Sequence, residues 1–144
     1  MRVSDVLRGR DRRVVTVQPD AVIRELLDLL AQHNIGACIV STDGEAVLGI
    51  VSERDVVRGL VRHGVGLLDQ SVSSIATKEV HTAHPDTHID DLMRLMTDER
   101  IRHVPVIVND RLHGIISIGD VVKKRIDELE LERQHLVNYI STAQ

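Results

Sequence analysis

The stretch GIVSERD, Gly49–Asp55, returns sixty-five positions later as GIISIGD, Gly114–Asp120. Each copy lies between a β-branched apolar segment and two valines, so each predicts a strand that leads directly into a helix. A serine with an acidic residue three positions later is typical of a capping box, in which both side chains bond to backbone N–H groups at the helix start. The same side chains suit a ligand with a vicinal diol, because a carboxylate offers two acceptor oxygens and a hydroxyl both donates and accepts. The motif alone leaves both interpretations open.

A glycine stands three positions before the serine in both copies, at Gly49 and Gly114. Glycine weakens a strand unless another group has to approach the backbone closely. A bound ligand is one candidate for that group, since the N-terminus of the following helix carries free N–H groups and a partial positive charge that favour anions. The glycines therefore favour the ligand interpretation.

The composition is that of one soluble globular unit. The chain has 144 residues, of which 42% are hydrophobic and 28% charged, enough to bury a sizeable core. Tyr139 is the sole aromatic residue, so the chain lacks the ring platforms on which single-stranded nucleic acid stacks. A net charge of -4 gives no overall attraction to nucleic acid or to an anionic membrane. We therefore expect neither as a partner.

The single cysteine, Cys38, excludes an internal disulfide and a Cys-x-x-Cys motif, which fits a cytoplasmic protein best. Its apolar neighbours predict a buried core residue instead of a catalytic thiol. The arginine-rich segment 1–13 is interrupted by Asp5 and Asp11, so we interpret it as a surface segment and not a transit peptide. His81, His84 and His88 invite a metal interpretation, but their loop spacing favours solvated histidines.

Most of the chain is an internal repeat. At an offset of 66 the stretch 14–40 aligns with 80–106, so that Thr16 meets Thr82 and Ile35 meets Ile101. The helical and alternating apolar patterns predict a strand–helix–strand–strand–helix unit in each copy, with Asp20 as N-cap of the first helix and Gly64 ending the second. Two such α/β units, packed about a pseudo-twofold axis, can bury the faces that one alone leaves open, and leave equivalent clefts between them.

We expect four segments along the chain. These are 1–66 as the first repeat with its N-terminal segment, 67–77 as a linker, 78–127 as the second repeat, and 128–144 as a C-terminal helical extension. The last helix carries apolar residues at heptad-like spacing, interrupted by Arg133: Val122, Ile126, Leu129, Leu136 and Ile140. This stripe packs either on its own chain or on a second copy, and its length favours the homodimer.

Three motifs together carry a resemblance. They are Pro-Asp-x-x-Ile before a helix, NIGACIV or RIRHVPV before a turn, and Gly-Ile-(Val/Ile)-Ser-x-x-Asp-Val-Val. All occur twice, and the sequence resembles a pair of CBS domains, the Bateman module, over about 14–60 and 80–125. It is similar to small stand-alone two-CBS-domain signalling proteins.

The resemblance implies a non-enzymatic regulatory module that binds an adenosine ligand. AMP is the first choice, with ADP, ATP, S-adenosylmethionine or NAD as alternatives, and no cofactor is required. It also implies a homodimer that acts on an unknown downstream protein. A constitutive interaction module without a ligand is the alternative function, in which the Ser-x-x-Asp pairs serve only as caps.

By position, the resemblance implies two ligand sites. Site A comprises Thr16, Ile35, Gly36, Arg102, His103, Ile115, Ser117 and Asp120. Site B comprises Ile50, Ser52, Arg54, Asp55, Thr82 and Ile101. In both, the serine and the aspartate contact the ribose, while Arg102, His103 and Arg54 are the candidates for phosphate. Because the first repeat has Gly36 and Ala37 where the second has Arg102 and His103, we expect site A to bind the nucleotide more tightly.

Overall fold

The computed structural model describes residues 1–9 and 14–143. Asp11, which the sequence places in a surface segment, lies outside the described residues. The elements follow the predicted order, with an additional short helix at the start: α1 (Val3–Leu7), β1 (Thr16–Val17), α2 (Ile23–His33), β2 (Ala37–Val40), β3 (Gly49–Ser52), α3 (Glu53–His63), two 3-10 helices (Gly64–Asp69 and Val72–Ser74), α4 (Ile89–Glu99), β4 (His103–Val108), β5 (Arg111–Ser117) and α5 (Ile118–Thr142). The predicted α/β tandem repeat is confirmed.

The two repeats build corresponding sheets. In the first, β1 runs parallel to β2, and β2 pairs antiparallel with β3, with Ala37 opposite Ser52. In the second, β4 pairs antiparallel with β5, with His103 opposite Ser117. The predicted first strand of this repeat is reduced to one parallel bridge between Ala83 and Val106. Both motif serines therefore end a strand beside the first residue of its partner strand.

Each repeat has its own aliphatic core. The first is built from α2, α3 and the three-stranded sheet, and the segment 67–77, predicted as a linker, adds Leu67 and Val72 to it. Both of these side chains are fully buried, at 0% exposure. They pack where α3 ends and the chain crosses back toward α2, so the connection between the repeats forms part of the first core.

The sequence predicts a surface position for the N-terminal segment, but the structure buries part of it. Val3 and Val6, three residues apart on one face of α1, are buried in the core of the second repeat. The backbone holds them there, since the N–H of Val3 donates to the carbonyl of Thr87 at 2.9 Å and the N–H of Ile89 to that of Met1 at 3.0 Å. Helix α1 therefore packs in the core of the second repeat, although it precedes the first repeat in the sequence.

The helix ends show one further difference. Helix α2 has Val22 as its N-cap residue, without a side-chain cap, so the prediction of Asp20 as the cap is wrong. The N–H of Ile23 donates instead to the carbonyl of Gln70 at 2.9 Å, so tertiary contact replaces the side-chain cap. Helix α3 ends at Gly64 as predicted, with a φ of 67° that favours glycine.

Helix α5 is the longest element, with 25 residues. Only Val121 on it is buried, and the apolar stripe predicted from the sequence lies exposed along its length. Packing on its own chain therefore does not account for the stripe. Among the described residues, no helix is long and apolar enough to span a membrane.

Candidate functional site

The two Ser-x-x-Asp motifs are reciprocal capping boxes. In the first repeat, the N–H of Ser52 donates to Oδ2 of Asp55 at 2.9 Å, and the N–H of Asp55 donates to Oγ of Ser52 at 3.4 Å. In the second, the matching bonds between Ser117 and Asp120 measure 2.9 and 3.1 Å. The cap interpretation is therefore confirmed in both copies. It leaves the ligand interpretation open, because a cap uses only part of the bonding capacity of a carboxylate.

The motif glycines are explained by the chain itself and not by a ligand. A Cβ added at Gly49 would lie 2.9 Å from the carbonyl oxygen of Thr77, which pairs with the backbone of Ile50. A Cβ at Gly114 would lie 3.4 Å from Cδ1 of Leu7 in α1. Close approach was the correct inference from glycine in a strand. The approaching groups are the inter-repeat segment in one copy and the N-terminal helix in the other.

The entrances to β2 and β4 meet between the repeats. A Cβ at Gly36 would lie 3.5 Å from Cε1 of His103 and 2.7 Å from Oε1 of Glu53. The contacts behind this meeting point are repeated in both halves. The N–H of Glu53 donates to the carbonyl of Gly36 at 3.0 Å, and that of Ile118 donates to the carbonyl of Arg102 at 2.9 Å. Side chains at either entrance can therefore reach across to the other repeat.

A cleft of about 580 Å³ opens at this meeting point, and we call it the central cleft. Its volume is within the range of about 300–1,000 Å³ that small-molecule sites occupy. Its walls come from both repeats and from the segment that joins them: Gly36, Ala37, Ile50, Ser52, Glu53, Arg54, Asp55, Arg58, Thr77, Glu79, Val80, His81, Glu99, Arg100, Ile101, Arg102 and His103.

The central cleft brings together most of predicted site B. Ile50, Ser52, Arg54, Asp55 and Ile101 all line it, whereas Thr82 does not, and its neighbours Val80 and His81 take that part of the wall.

Three residues assigned to site A, namely Gly36, Arg102 and His103, line this same cleft. The cleft thus holds residues of both predicted sites, and their division into sites A and B stays a prediction. The physical reason for this mixture is that the strand entrances meet between the repeats, so that residues there border the motif of the other repeat.

The remaining site A residues lie around the second motif and the first sheet. Ser117 and Asp120 begin α5, and Ile115 lies opposite Pro105 in the β4–β5 pair. Thr16 pairs with Ile39 in the first sheet. Ile35 lines a second hollow, between α2 and α3, together with Gly36. None of these five site A residues lines the central cleft.

His103 connects the two motifs electrostatically. It is half-buried, and this burial lowers the pKa of its imidazole below the ordinary value. The carboxylates of Asp120 and Glu53 oppose this shift, and the guanidinium of Arg102 adds to it. The imidazole is therefore close enough to interact with both repeats, and its neutral form is favoured in the folded protein.

Four arginines line the central cleft: Arg54, Arg58, Arg100 and Arg102. Sequence reasoning missed Arg58 and Arg100. The signal for Arg58 was its position one turn after Arg54 on the same helix. Arg100 has a φ of 55° at the end of α4, a left-handed conformation that the sequence of an arginine does not suggest. Four carboxylates, those of Glu53, Asp55, Glu79 and Glu99, line the cleft as well, so its guanidinium groups offer donors to an anion beside acidic neighbours.

The family comparison agrees with this architecture. The CBS domain family model matches residues 3–62 and 72–127, which is most of the chain. The chain belongs to the CBS-domain family. CBS pairs are regulatory ligand-binding modules, not catalytic domains, and the two matches coincide with the two repeats around the central cleft.

Three CBS proteins show how close the relatives are. The mitochondrial CBS domain-containing protein CBSX3 of Arabidopsis thaliana is 36% identical over 96% of this chain and 71% of its own. A CBS-domain containing protein from Agrobacterium tumefaciens has a solved structure with 48% identity and a TM-score of 0.84, covering 87% of this chain and 99% of that one. A CBS domain protein from Pyrobaculum aerophilum, solved in complex with AMP, is 28% identical with a TM-score of 0.77, covering 92% and 99%.

Cys38 and His84, which the sequence analysis also considered as functional residues, have structural roles in this CBS pair. Cys38 is buried, its Sγ donates to the carbonyl of Val15 at 3.3 Å, and burial raises the pKa of its thiol to about 11, which disfavours the thiolate. Nδ1 of His84 accepts from the N–H of Asp86 at 3.1 Å and so shapes its own loop. Within the described ranges, no group of three His, Cys, Asp or Glu side chains is placed to hold a metal ion.

Proposed function

We propose that this CBS pair is an adenine-nucleotide sensor whose main ligand site is the central cleft, with AMP as the preferred ligand. The observation that carries the proposal is the meeting of Asp55 with four arginines in one cleft between the repeats. The AMP complex of the Pyrobaculum aerophilum CBS protein supports it. The proposal moves the stronger site from Ser117 and Asp120, where the sequence places it, to Ser52 and Asp55.

Asp55 is suited to hold a ribose. Its capping bonds from Ser52 both fall on Oδ2, at 2.9 Å from the N–H and 3.2 Å from the hydroxyl. Oδ1 has no hydrogen-bond partner within the described part of the chain. A carboxylate oxygen with free lone pairs accepts strongly from a hydroxyl donor. Asp55 can therefore cap α3 and bind a vicinal diol at the same time.

The phosphate is assigned to the guanidinium groups. Arg54 and Arg58 come from the first repeat, and Arg100 and Arg102 come from the second. Guanidinium groups bind phosphate through paired N–H donors, and the N-terminus of α3 adds a partial positive charge. Glu53, Glu79 and Glu99 also line the cleft, and Oε2 of Glu99 lies 3.6 Å from Nε2 of His81, so a nucleotide has to displace some of these local charge contacts.

A ligand in the central cleft can affect the relative position of the repeats, because both repeats contribute its walls. A nucleotide that contacts Asp55 of one repeat and Arg102 of the other favours the arrangement in which both contacts form. It shifts the conformation only by the difference in its affinity for the two arrangements. The proposed sensor is a homodimer that passes this shift to a downstream protein, and its cytoplasmic location remains a prediction from the single cysteine.

The test compares two aspartates that have the same capping role. Asp55→Ala and Asp120→Ala each remove a capping box, so both should lose stability. Only Asp55→Ala should also weaken AMP binding, by about 10- to 100-fold, since a hydrogen bond to a charged group contributes about 1.5–3 kcal/mol. Isothermal titration calorimetry with AMP, ADP, ATP, S-adenosylmethionine and NAD gives the affinities, and a thermal-shift assay gives the stabilities.

Two outcomes would count against the proposal. Loss of AMP binding in Asp120→Ala but not in Asp55→Ala would return the main site to Ser117. Absence of binding by the wild-type protein to all five ligands at millimolar concentration would reject the sensor. That second result favours the alternative of a constitutive interaction module, in which both Ser-x-x-Asp pairs act as caps alone.

A further inference from the structure

Helix α5 begins in the second repeat and extends well beyond it. Its 25 residues give it a length of about 37 Å. Near its start, Val121 is buried and Lys124, Arg125 and Glu128 are half-buried, one line of residues that faces the second repeat. From Leu129 to Ala143 every residue is exposed. The second half of α5 therefore has no packing partner within the described residues.

An apolar seam runs along this helix, and we define it as Val122, Ile126, Leu129, Leu136 and Ile140 with Arg133 among them. The exposed fractions of the five apolar side chains are 48%, 50%, 58%, 63% and 58% in that order. Their steps of four, three, seven and four residues keep them on one side of the helix, as in a coiled coil. Isolated exposed aliphatic residues need no explanation, but a continuous row of them indicates a contact surface.

Charged residues flank the seam on both sides. Whether the flanks of two such helices attract or repel each other depends on the direction and register of their pairing. One flank carries Lys123 and, seven residues on, Glu130, while the other carries Arg125 and Glu132. Lys123, Glu130 and Glu132 form no ion pair within the described chain. Arg125 bonds to Asp90 at 2.8 Å and to Glu128 at 3.4 Å, which holds its guanidinium in place. Each flank thus presents a positive residue followed by a negative one.

We infer that the seam of α5 pairs antiparallel with the seam of α5 in a second copy of this chain. In the register that sets Ile126 against Leu129 of the second copy, Val122 faces Arg133. The same register brings Lys123 of one copy to Glu130 of the other, and Arg125 to Glu132. Twofold symmetry doubles each contact, so four pairs of opposite charge flank the seam.

A parallel pairing fits the sequence less well. It sets each seam residue against its own copy, so Arg133 faces Arg133 at the centre, where like charges repel. Its flanks would bring Arg125 to Glu130 but leave Glu132 beside Val137, which carries no charge. Charge complementarity thus selects the antiparallel register. In that register Leu136 extends toward Gly119 of the second copy, close to the start of its α5.

Cysteine cross-linking tests the direction of pairing. Val122→Cys and Arg133→Cys place single thiols on exposed positions, while the native Cys38 stays buried. In the antiparallel register the two positions face each other, whereas two copies of residue 122 are about 16 Å apart along the axis. A mixture of the two variants should therefore give a disulfide-linked dimer, and each variant alone should not. Cross-linking of Val122→Cys with itself but not with Arg133→Cys would overturn the inference.

Charge reversal tests the register. Lys123→Glu should raise the dissociation constant of the dimer about tenfold, since it turns two attractive pairs into repulsive ones. The double variant Lys123→Glu with Glu130→Lys should restore it, because the antiparallel register pairs these two positions across the seam. In a parallel pair the positive charge introduced at position 130 would face Arg125, and the double variant would stay weak. Sedimentation equilibrium at low and high salt measures the constants, and high salt should reduce the differences.

The inference rests on the proposed homodimer but not on the proposed nucleotide. Replacing the seam residues Ile126 and Leu129 by glutamate should yield a folded monomer, with unchanged circular dichroism, since both side chains are exposed. A wild-type monomer in solution would reject the homodimer as well as the seam. A dimer that persists in the double glutamate variant would reject the seam alone. AMP titration of the same variants reports on the central cleft separately.

Discussion

The two repeats share their capping boxes but differ in the charge they bring to the space between them. Ser52 with Asp55, and Ser117 with Asp120, make the same backbone bonds at 2.9–3.4 Å. The first repeat enters its second strand with Gly36, whereas the second repeat enters with Arg102. The side chains that bond to free backbone N–H groups are thus the same in both repeats, because every helix start needs such partners. The side chains that bring charge to the cleft differ between the repeats.

The four arginines of the central cleft lie around the motif of the first repeat, together with the carboxylates of Glu53, Asp55, Glu79 and Glu99. The strand entrances meet between the repeats, so Arg102 borders the motif of the first repeat. The motif of the first repeat therefore depends on the second repeat for part of its surroundings. Both repeats contribute walls to the central cleft, even though each has its own core.

The largest difference between the repeats is expected at the motif glycines. Gly49→Ala should destabilise the protein by about 1–3 kcal/mol, because the new methyl group would lie 2.9 Å from a backbone carbonyl oxygen that cannot move without breaking its pairing with Ile50. Urea denaturation measures the free energy of unfolding.

Gly114→Ala is the matched control for this change. Its methyl group would lie 3.4 Å from Cδ1 of Leu7, and this half-buried side chain can shift by a few tenths of an ångström. We expect a loss below about 1 kcal/mol. Equal losses at Gly49 and Gly114 would contradict the assignment of Thr77 as the group that requires glycine.

Much of the fold could be predicted from the sequence because short-range patterns of apolar, capping and turn residues determine its helices and strands. The helical periodicity of α2 and α4 and Gly64 at the end of α3 follow from rules that act within about ten residues, and the repeat is found by comparing such local patterns along the chain. The capping interpretation of Ser52 and Ser117 is of the same kind. Such features need no knowledge of what packs against them, so the structure confirms them.

The errors concern long-range contacts. Nothing near α1 in the sequence shows that Val3 belongs to the second core, far along the chain, where it bonds to Thr87. The glycines predicted close approach but not which group approaches. That Arg102 and Ser52 line one cleft could not be predicted for the same reason, since it requires the relative position of the two repeats. The resemblance supplied candidate residues, and the packing of the repeats brings several of them together in the central cleft.

The caps should show smaller and more equal effects than the glycines. Ser52→Ala and Ser117→Ala should each cost about 1 kcal/mol of stability, since each removes the acceptor for one backbone N–H at a helix start. Ser52→Thr and Ser117→Thr keep the hydroxyl and should keep most of the stability. Urea denaturation of the four variants makes the comparison, and a cost at one serine alone would show that the two caps are not equivalent.

The smallest effect is expected from the titration of His103. Burial lowers the pKa of this imidazole in the folded protein, so the unfolded chain binds the proton more readily. Stability due to neutral His103 is therefore complete above the unfolded pKa of about 6.5 and is lost as the pH falls below it. The carboxylates of Asp120 and Glu53 limit the shift, which keeps the effect small.

Thermal unfolding between neutral and mildly acid pH measures this contribution in the wild-type protein and in His103→Gln and His103→Asn. Both variants lack the titrating group, so their midpoints should fall less on acidification than that of the wild type. Because the two replacements differ in size, agreement between their pH slopes separates titration from packing. A wild-type slope in both variants would contradict the role of His103. Bound AMP should reduce the acid loss in the wild type, since a phosphate in the central cleft favours the protonated imidazole.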